Sequence, residues 1–179
     1  NVTMVNGKEM KIKIGKYPTH RWYHNFLYEK FGIGNEPKVS VHIDDFDTWS
    51  MDHTLSYIID PMLKQLKLTK HGAPDVDNKD VPKELRSEPP THFDKWDWVL
   101  DEMIFAFESK HNDWEEQFQS GEHDTHWIEL TEGEHKGMSE MVKGPNYTFK
   151  IDMKGRKAYQ KRISNGFRLF GKYYENLWD

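Results

Sequence analysis

The sequence predicts a mainly α (α+β) chain, a helical bundle of three long helices plus a shorter N-terminal helix, with a small β hairpin or sheet attached. Three observations carry that expectation. Apolar residues recur at three- and four-residue steps over three long stretches, proline- and glycine-bearing breaks separate them, and one segment abandons the helical period for short alternating runs. At 179 residues with no internal repeat, the chain is read as a single domain, 1–179.

Taken in order, Met10 to Ile14 alternates lysine with apolar residues and predicts a short strand, and Val39 to Asp44 predicts a second. Between them Thr19 is placed to cap a helix over His20 to Phe31, with Trp22 and Phe26 on its buried side and Gly32 just past its end. From about Ser50 to Lys70, the residues Leu55, Ile59, Met62, Leu63 and Leu66 mark the first long helix, with Gly72 as a stop. Pro61 lies inside that pattern, has no N–H and crowds the carbonyl of Tyr57, so a kink or a new segment is expected at Asp60–Pro61. The segment 72–92 carries Pro74, Pro82, Pro89 and Pro90 among aspartates and predicts an irregular connection.

Thr91 and Asp94 resemble a capping box ahead of a second long helix, expected to reach Phe118 with Trp96, Leu100, Met103, Phe107, Trp114 and Phe118 on one face. Residues 120–153 predict a β-hairpin insertion in which Thr125–Leu130 pairs with Tyr147–Asp152. After Gly155 the last helix repeats Tyr159, Ile163, Phe167, Phe170, Tyr174 and Leu177, and is expected to run almost to the end.

Charge is unevenly spread. Residues 1–74 hold 10 Lys/Arg against 8 Asp/Glu, residues 75–134 hold 5 against 18, and residues 135–179 hold 10 against 4. The middle block thus stands at −13 and the last at +6 within a net −5. With no cysteine, disulfides, thiolate metal sites and cysteine nucleophiles are excluded. No apolar run approaches the roughly 18 residues a bilayer span needs, and no charged-then-apolar leader pattern is present, so no membrane association and a cytoplasmic setting are expected. P-loop, Gly-rich dinucleotide and serine-elbow motifs are missing from the chain.

Five constellations are weighed for chemistry. Asp44, Asp45 and Asp47, followed by Asp52 and His53, supply the oxygen and imidazole donors that Mg²⁺, Mn²⁺ or Fe²⁺ accept, with His53 as a candidate catalytic proton carrier. Asp52 shares a face with Leu55 and Ile59 and is expected to turn inward toward a partner. Helix starts also favour Asp for backbone capping alone, and that plainer explanation is preferred. His123, His126 and His135 form a weaker transition-metal candidate, set against the ordinary case of solvated loop histidines.

The row Asp97, Asp101, Glu102 and Glu108, with Glu-x-x-His spacings at Glu108–His111 and Glu132–His135, faintly matches a di-metal bundle, but a solvated helix face explains it better. Asp75 to Asp80 begins like a calcium loop, yet Asp80 stands where glycine is required and Arg86 where glutamate is required, which rejects it. The basic final helix, bearing Arg156, Lys157, Lys161, Arg162, Arg168 and Lys172, is placed either to neutralise the acidic block or to lie along a phosphate backbone. Internal neutralisation is preferred, because a −13 block beside a nucleic-acid site repels the ligand.

The runs DFDTWSMDHTLSYIIDPMLKQLK ending at Lys67, KHGAPDVDNKDVP from Lys70 to Pro82, KWDWVLDEMIFAFE from Lys95 to Glu108, and NGFRLFGKYYENLWD from Asn165 to Asp179 together resemble an uncharacterised protein family of tailed, largely marine bacteriophages. The resemblance covers roughly the last three quarters of the chain and implies a phage origin, with action in the host cytoplasm or the virion. It carries no activity and no site residues. The function expected is that of an accessory protein binding a host or phage protein through a charge-polarised surface. Nucleic acid is expected only through the basic C-terminal helix. The alternatives are a metal-dependent hydrolase of phosphoesters or nucleotides using the carboxylates and His53, and a virion component.

Overall fold

Each of the three long apolar stripes forms a helix. The computed structural model describes residues 21–34, 43–86 and 92–178. The chain divides into two compact units, Asn1–Met51 and Asp52–Asp179. The boundary falls after Met51, the first residue of the first long helix, one residue past Ser50, whose backbone leaves the helical region at φ −119° and ψ 58°.

In the first unit, helix α1 spans Trp22–Phe31 and ends at Gly32 in the left-handed region, as a C-terminal glycine permits. Its start is Arg21, whose N–H donates to the Nδ1 atom of His24 at 2.9 Å. The expected cap Thr19 and the strand Met10–Ile14 lie outside the described residues, as does most of Val39–Asp44, whose last two residues, Ile43 and Asp44, are not in a strand. No residue of α1 is buried, contrary to the inward face expected for Trp22 and Phe26. Helix α2 is the short Asp45–Trp49.

The second unit holds α3 (Met51–Thr69), α4 (His92–Glu108) and α5 (Met153–Lys172) around one core. Leu63, Trp96, Val99, Leu100, Met103, Phe107, Leu169 and Tyr173 form its buried centre. Helix α3 runs unbroken through Pro61. Pro61 and Tyr57 are both exposed, so water can serve the carbonyl that proline leaves without a donor. Its buried line passes through Ser56, Asp60 and Leu63, while Met62 and Leu55 are exposed.

Helix α4 stops at Glu108, ten residues before the expected end. Over Ser109-Lys110-His111-Asn112 the backbone tightens: the N–H groups of Lys110 and His111 reach Phe107 and Glu108 three residues back, and the Asn112 amide donates to the Glu108 carbonyl. Trp114 and Phe118 still pack on α5, both against Tyr159, Trp114 stacked at a centroid distance of 4.8 Å.

Strands β1 (Gln119–Ser120), β2 (Thr125–Glu129), β3 (Ser139–Lys143) and β4 (Lys150–Ile151) make two separate two-stranded antiparallel sheets. The partner of β2 is β3, with Trp127 opposite Met141, rather than the expected Tyr147–Asp152, whose Lys150–Ile151 pairs with β1. The cause is local: Gly133 and Gly137 adopt positive φ in the connection, and Leu130 closes it through bonds to Gly137 and Met138.

Helix α5 starts at Asp152, whose carboxylate accepts from the N–H groups of Lys154 and Gly155. It packs chiefly on α4. A Cβ on Gly166 would meet the Glu102 carbonyl and the Ala106 methyl, so glycine sets the closeness of this crossing. The buried face is therefore centred on Ile163, Gly166, Leu169 and Tyr173, and Tyr174, expected inside, is 64% exposed.

Candidate functional site

The acidic sequence at the start of the first long helix is organised by backbone capping. Asp44 precedes α2 and its N–H donates to Asp47 Oδ2 at 2.9 Å, while Asp45 sits in the first turn and its carbonyl accepts from Thr48. Those three aspartates belong to the first unit. In the second, Asp52 takes an ion pair from Lys110 at 2.7 Å, and the His53 carbonyl accepts from Ser56 Oγ at 2.6 Å. Asp52 therefore has the cationic partner expected of it, but with its side chain 57% exposed instead of turned inward. The bond from Lys110 holds its carboxyl below the usual range. Among the described residues no three His, Asp or Glu side chains converge as a metal-binding group.

The histidines of 120–135 have separate surroundings. His123 packs its ring on Phe149 and Tyr147, and His126 Nε2 lies 3.1 Å from Asp124, whose other oxygen accepts from the Asn146 N–H. His135 sits in the exposed β2–β3 connection and lends its carbonyl to Met138.

The carboxylate row of α4, expected to be a solvated face, is engaged along its whole length. Lys70 pairs with Asp97 at 2.6 Å, Lys67 with Asp101 at 2.5 Å, and Lys64 with Glu108 at 2.6 Å. Numbers rise on α3 as they fall on α4, so the two helices run in opposite directions. Lys64 also bonds Asp60, and its two carboxylate partners, Glu108 foremost, raise its ammonium above the ordinary lysine value. Glu102 points the other way, to α5. It is buried and receives a forked pair of bonds from Arg162 at 2.7–3.1 Å, while that guanidinium lies 3.7 Å from the Phe105 ring centre. The Glu-x-x-His pair at 108 and 111 is split, since Glu108 serves Lys64 and the His111 ring lies against Tyr57. The second pair, Glu132 and His135, is exposed.

Asp80 gathers side-chain donors from three residues. Its side chain is 3% exposed and accepts from Lys172 Nζ, from the Tyr173 hydroxyl at 2.9 Å and from Arg168 at 2.9 Å. Burial alone would raise its carboxyl, but the three donors outweigh burial and hold it below the usual carboxylate range. Beside it Asp77 is also depressed, by bonds from Lys79 and then Lys172, and its N–H donates to the Tyr173 oxygen at 3.1 Å. Thus the described part of the proline-rich connection, residues 72–86, packs on the core through Val76 and Val81, while Pro89, Pro90 and the expected cap Thr91 lie outside the described residues. An open depression of about 440 Å³ lies alongside, lined by Asp75, Asp77, Lys95 and Lys172. Sequence reasoning dismissed Asp80 with the calcium loop. The signal that could have found it was the Arg168–Lys172 spacing of one helical turn followed by Tyr173, three donors with no acid on their own helix.

Helix α5 carries seven Lys/Arg and no Asp/Glu over Met153–Lys172. Four of those cations are engaged with carboxylates of the middle block: Arg156 with Glu115, Arg162 with Glu102, Arg168 with Asp80, and Lys172 with Asp77 and Asp80. Internal neutralisation is therefore what the helix does with those side chains. The remaining three, Lys154, Lys157 and Lys161, are exposed and make no ion pair among the described residues. Their three- and four-residue steps set them on one side of the helix, with Ser164 continuing the row, opposite buried Ile163, Gly166 and Leu169. No protein-family model, no curated protein and no solved structure matches this chain. The row and its network thus stand on their own geometry. Among the described residues no helix is long and apolar enough to cross a membrane.

Proposed function

We propose that this is a binding protein, an accessory factor of phage origin acting in the host cytoplasm or on the virion, that engages a macromolecular partner through the outer face of α5. The observation that carries this reading is the division of one acid-free helix into four cations engaged with carboxylates and three that are exposed and unengaged among the described residues. Three unpaired lysines in a row leave a local positive field on a chain of net charge −5, and complementary charge of that kind steers encounter and sets orientation. The acidic block, by contrast, spends much of its charge inside the molecule, on Lys64, Lys67, Lys70, Arg156, Arg162, Arg168 and Lys172. That weakens any role for it as an outward imitation of phosphates.

The test is affinity capture from infected bacterial lysate at low salt, run in parallel with the wild-type chain and a triple variant Lys154→Gln, Lys157→Gln, Lys161→Gln. A species held by the wild type and released by the variant supports the reading. Equal retention by both, or none by either, overturns it.

A further inference from the structure

We propose that the outer row of α5 is a contact surface for the phosphate backbone of double-stranded nucleic acid, an inference that rests on the reading of that face as a binding surface and names its partner class. Lys154, Lys157 and Lys161 span seven helical steps, roughly 10.5 Å of helix axis at about 1.5 Å per residue. The phosphates of one strand rise roughly 3.4 Å each along the duplex axis, so roughly 10.5 Å covers about three phosphate steps and each of the three flexible ammonium groups has a phosphate within its span. Ser164 and Asn165 follow one turn later, but the Ser164 hydroxyl donates to the Gln160 carbonyl and Asn165 Oδ1 accepts from Arg168, so the three lysines carry the contact.

The chemistry favours a backbone over other anions for two reasons. The lysines present flexible point charges without a guanidinium fork, which suits a periodic line of phosphates rather than one buried carboxylate. The aromatic rings of α5 face away from the row: Tyr159 is stacked on Trp114, and Phe167 and Phe170 pack on Phe107. A single strand would need such rings on the outside for its bases, so the duplex is the better fit. The engaged arginines matter too. Because Arg162 and Arg168 are held by Glu102 and Asp80, the helix keeps its seat on the core while the lysines remain available.

With three phosphate contacts the salt dependence is fixed in advance. The slope of log K against log salt is expected near −2.7, so affinity falls about 40-fold between 50 and 200 mM salt. Binding is sequence-independent and weak at physiological salt.

The experiment is fluorescence anisotropy of the full chain with a labelled 20-base-pair duplex of arbitrary sequence over that salt range. Single-stranded DNA, polyglutamate and phosphatidylserine vesicles serve as competitors. The Lys154→Gln, Lys157→Gln, Lys161→Gln variant, checked by circular dichroism for an intact fold, is expected to lose the duplex. The matching triple Lys→Arg variant is expected to keep it. Duplex binding that survives the glutamine variant, or competition by polyglutamate or vesicles as strong as by duplex, overturns the inference. A lysine-dependent protein captured from lysate with no duplex binding overturns the nucleic-acid assignment and leaves the surface reading standing. No lysine-dependent partner of any kind overturns both.

Discussion

Asp80 shows how much one residue can hold. Its buried carboxylate joins the connection after α3 to three donors on the last turns of α5. Asp80→Ala would leave those donors unmatched and is expected to cost about 2–3 kcal/mol in urea denaturation, under the full penalty for a buried pair because Arg168 and Lys172 are part exposed. Its depressed carboxyl also sets the sign of an acid effect. A group held below its unfolded value, about 3.9, contributes stability above that pH and loses it as pH falls through the folded value. Asp52 shifts the same way. Stability is therefore expected to be level from neutral pH down to about pH 5 as far as these groups go, and to fall below about pH 4, with Asp80→Asn flattening that fall in a pH series of denaturation midpoints. His111 offers the opposite case. Its ring lies 4.2 Å from that of Tyr57 by centroids, yet Nδ1 is buried with no hydrogen-bond partner among the described residues. Phenylalanine keeps the ring contact and removes the orphan, so His111→Phe is expected to raise stability by about 1 kcal/mol.

At the scale of elements, the α4–α5 crossing depends on a residue with no side chain. Gly166→Ala would drive a methyl into the Glu102 carbonyl and Ala106, and is expected to cost about 1–3 kcal/mol by thermal or chemical unfolding despite the better helix propensity of alanine. A neutral result would mean the helices cross elsewhere. The same glycine explains a limit of the sequence reading. Helical periodicity located α3, α4 and α5 because each buries large apolar residues at regular steps, but a glycine contributes nothing to such a pattern. The buried face of α5 was consequently assigned to Tyr174 instead of Tyr173. The end of α4 is illegible for a related reason: Trp114 and Phe118 pack on Tyr159 of α5, but after the chain has left the helix at Glu108. Strand partners were the least legible, because β2 is followed by two alternating runs and only backbone geometry at Gly133 and Gly137 favours the nearer.

For the whole molecule, block charge pointed correctly to contact between the acidic middle and the basic end, since opposite charges of −13 and +6 in one chain have an internal use. Counting could not say which cations take part. That depends on where carboxylates of other elements lie along α5: Asp77 and Asp80 reach Arg168 and Lys172 at its end and Glu102 and Glu115 reach Arg162 and Arg156, while Lys154, Lys157 and Lys161 stay outside. The central claim is this partition between cations that hold the fold and cations that do not. Urea denaturation of two variants tests it most directly, the outer triple Lys154→Gln, Lys157→Gln, Lys161→Gln and the inner Arg162→Gln. The outer triple is expected to stay within about 0.5 kcal/mol of wild type, as exposed substitutions do, and Arg162→Gln to lose about 2–3 kcal/mol by stranding buried Glu102. An outer triple as damaging as Arg162→Gln would contradict the partition.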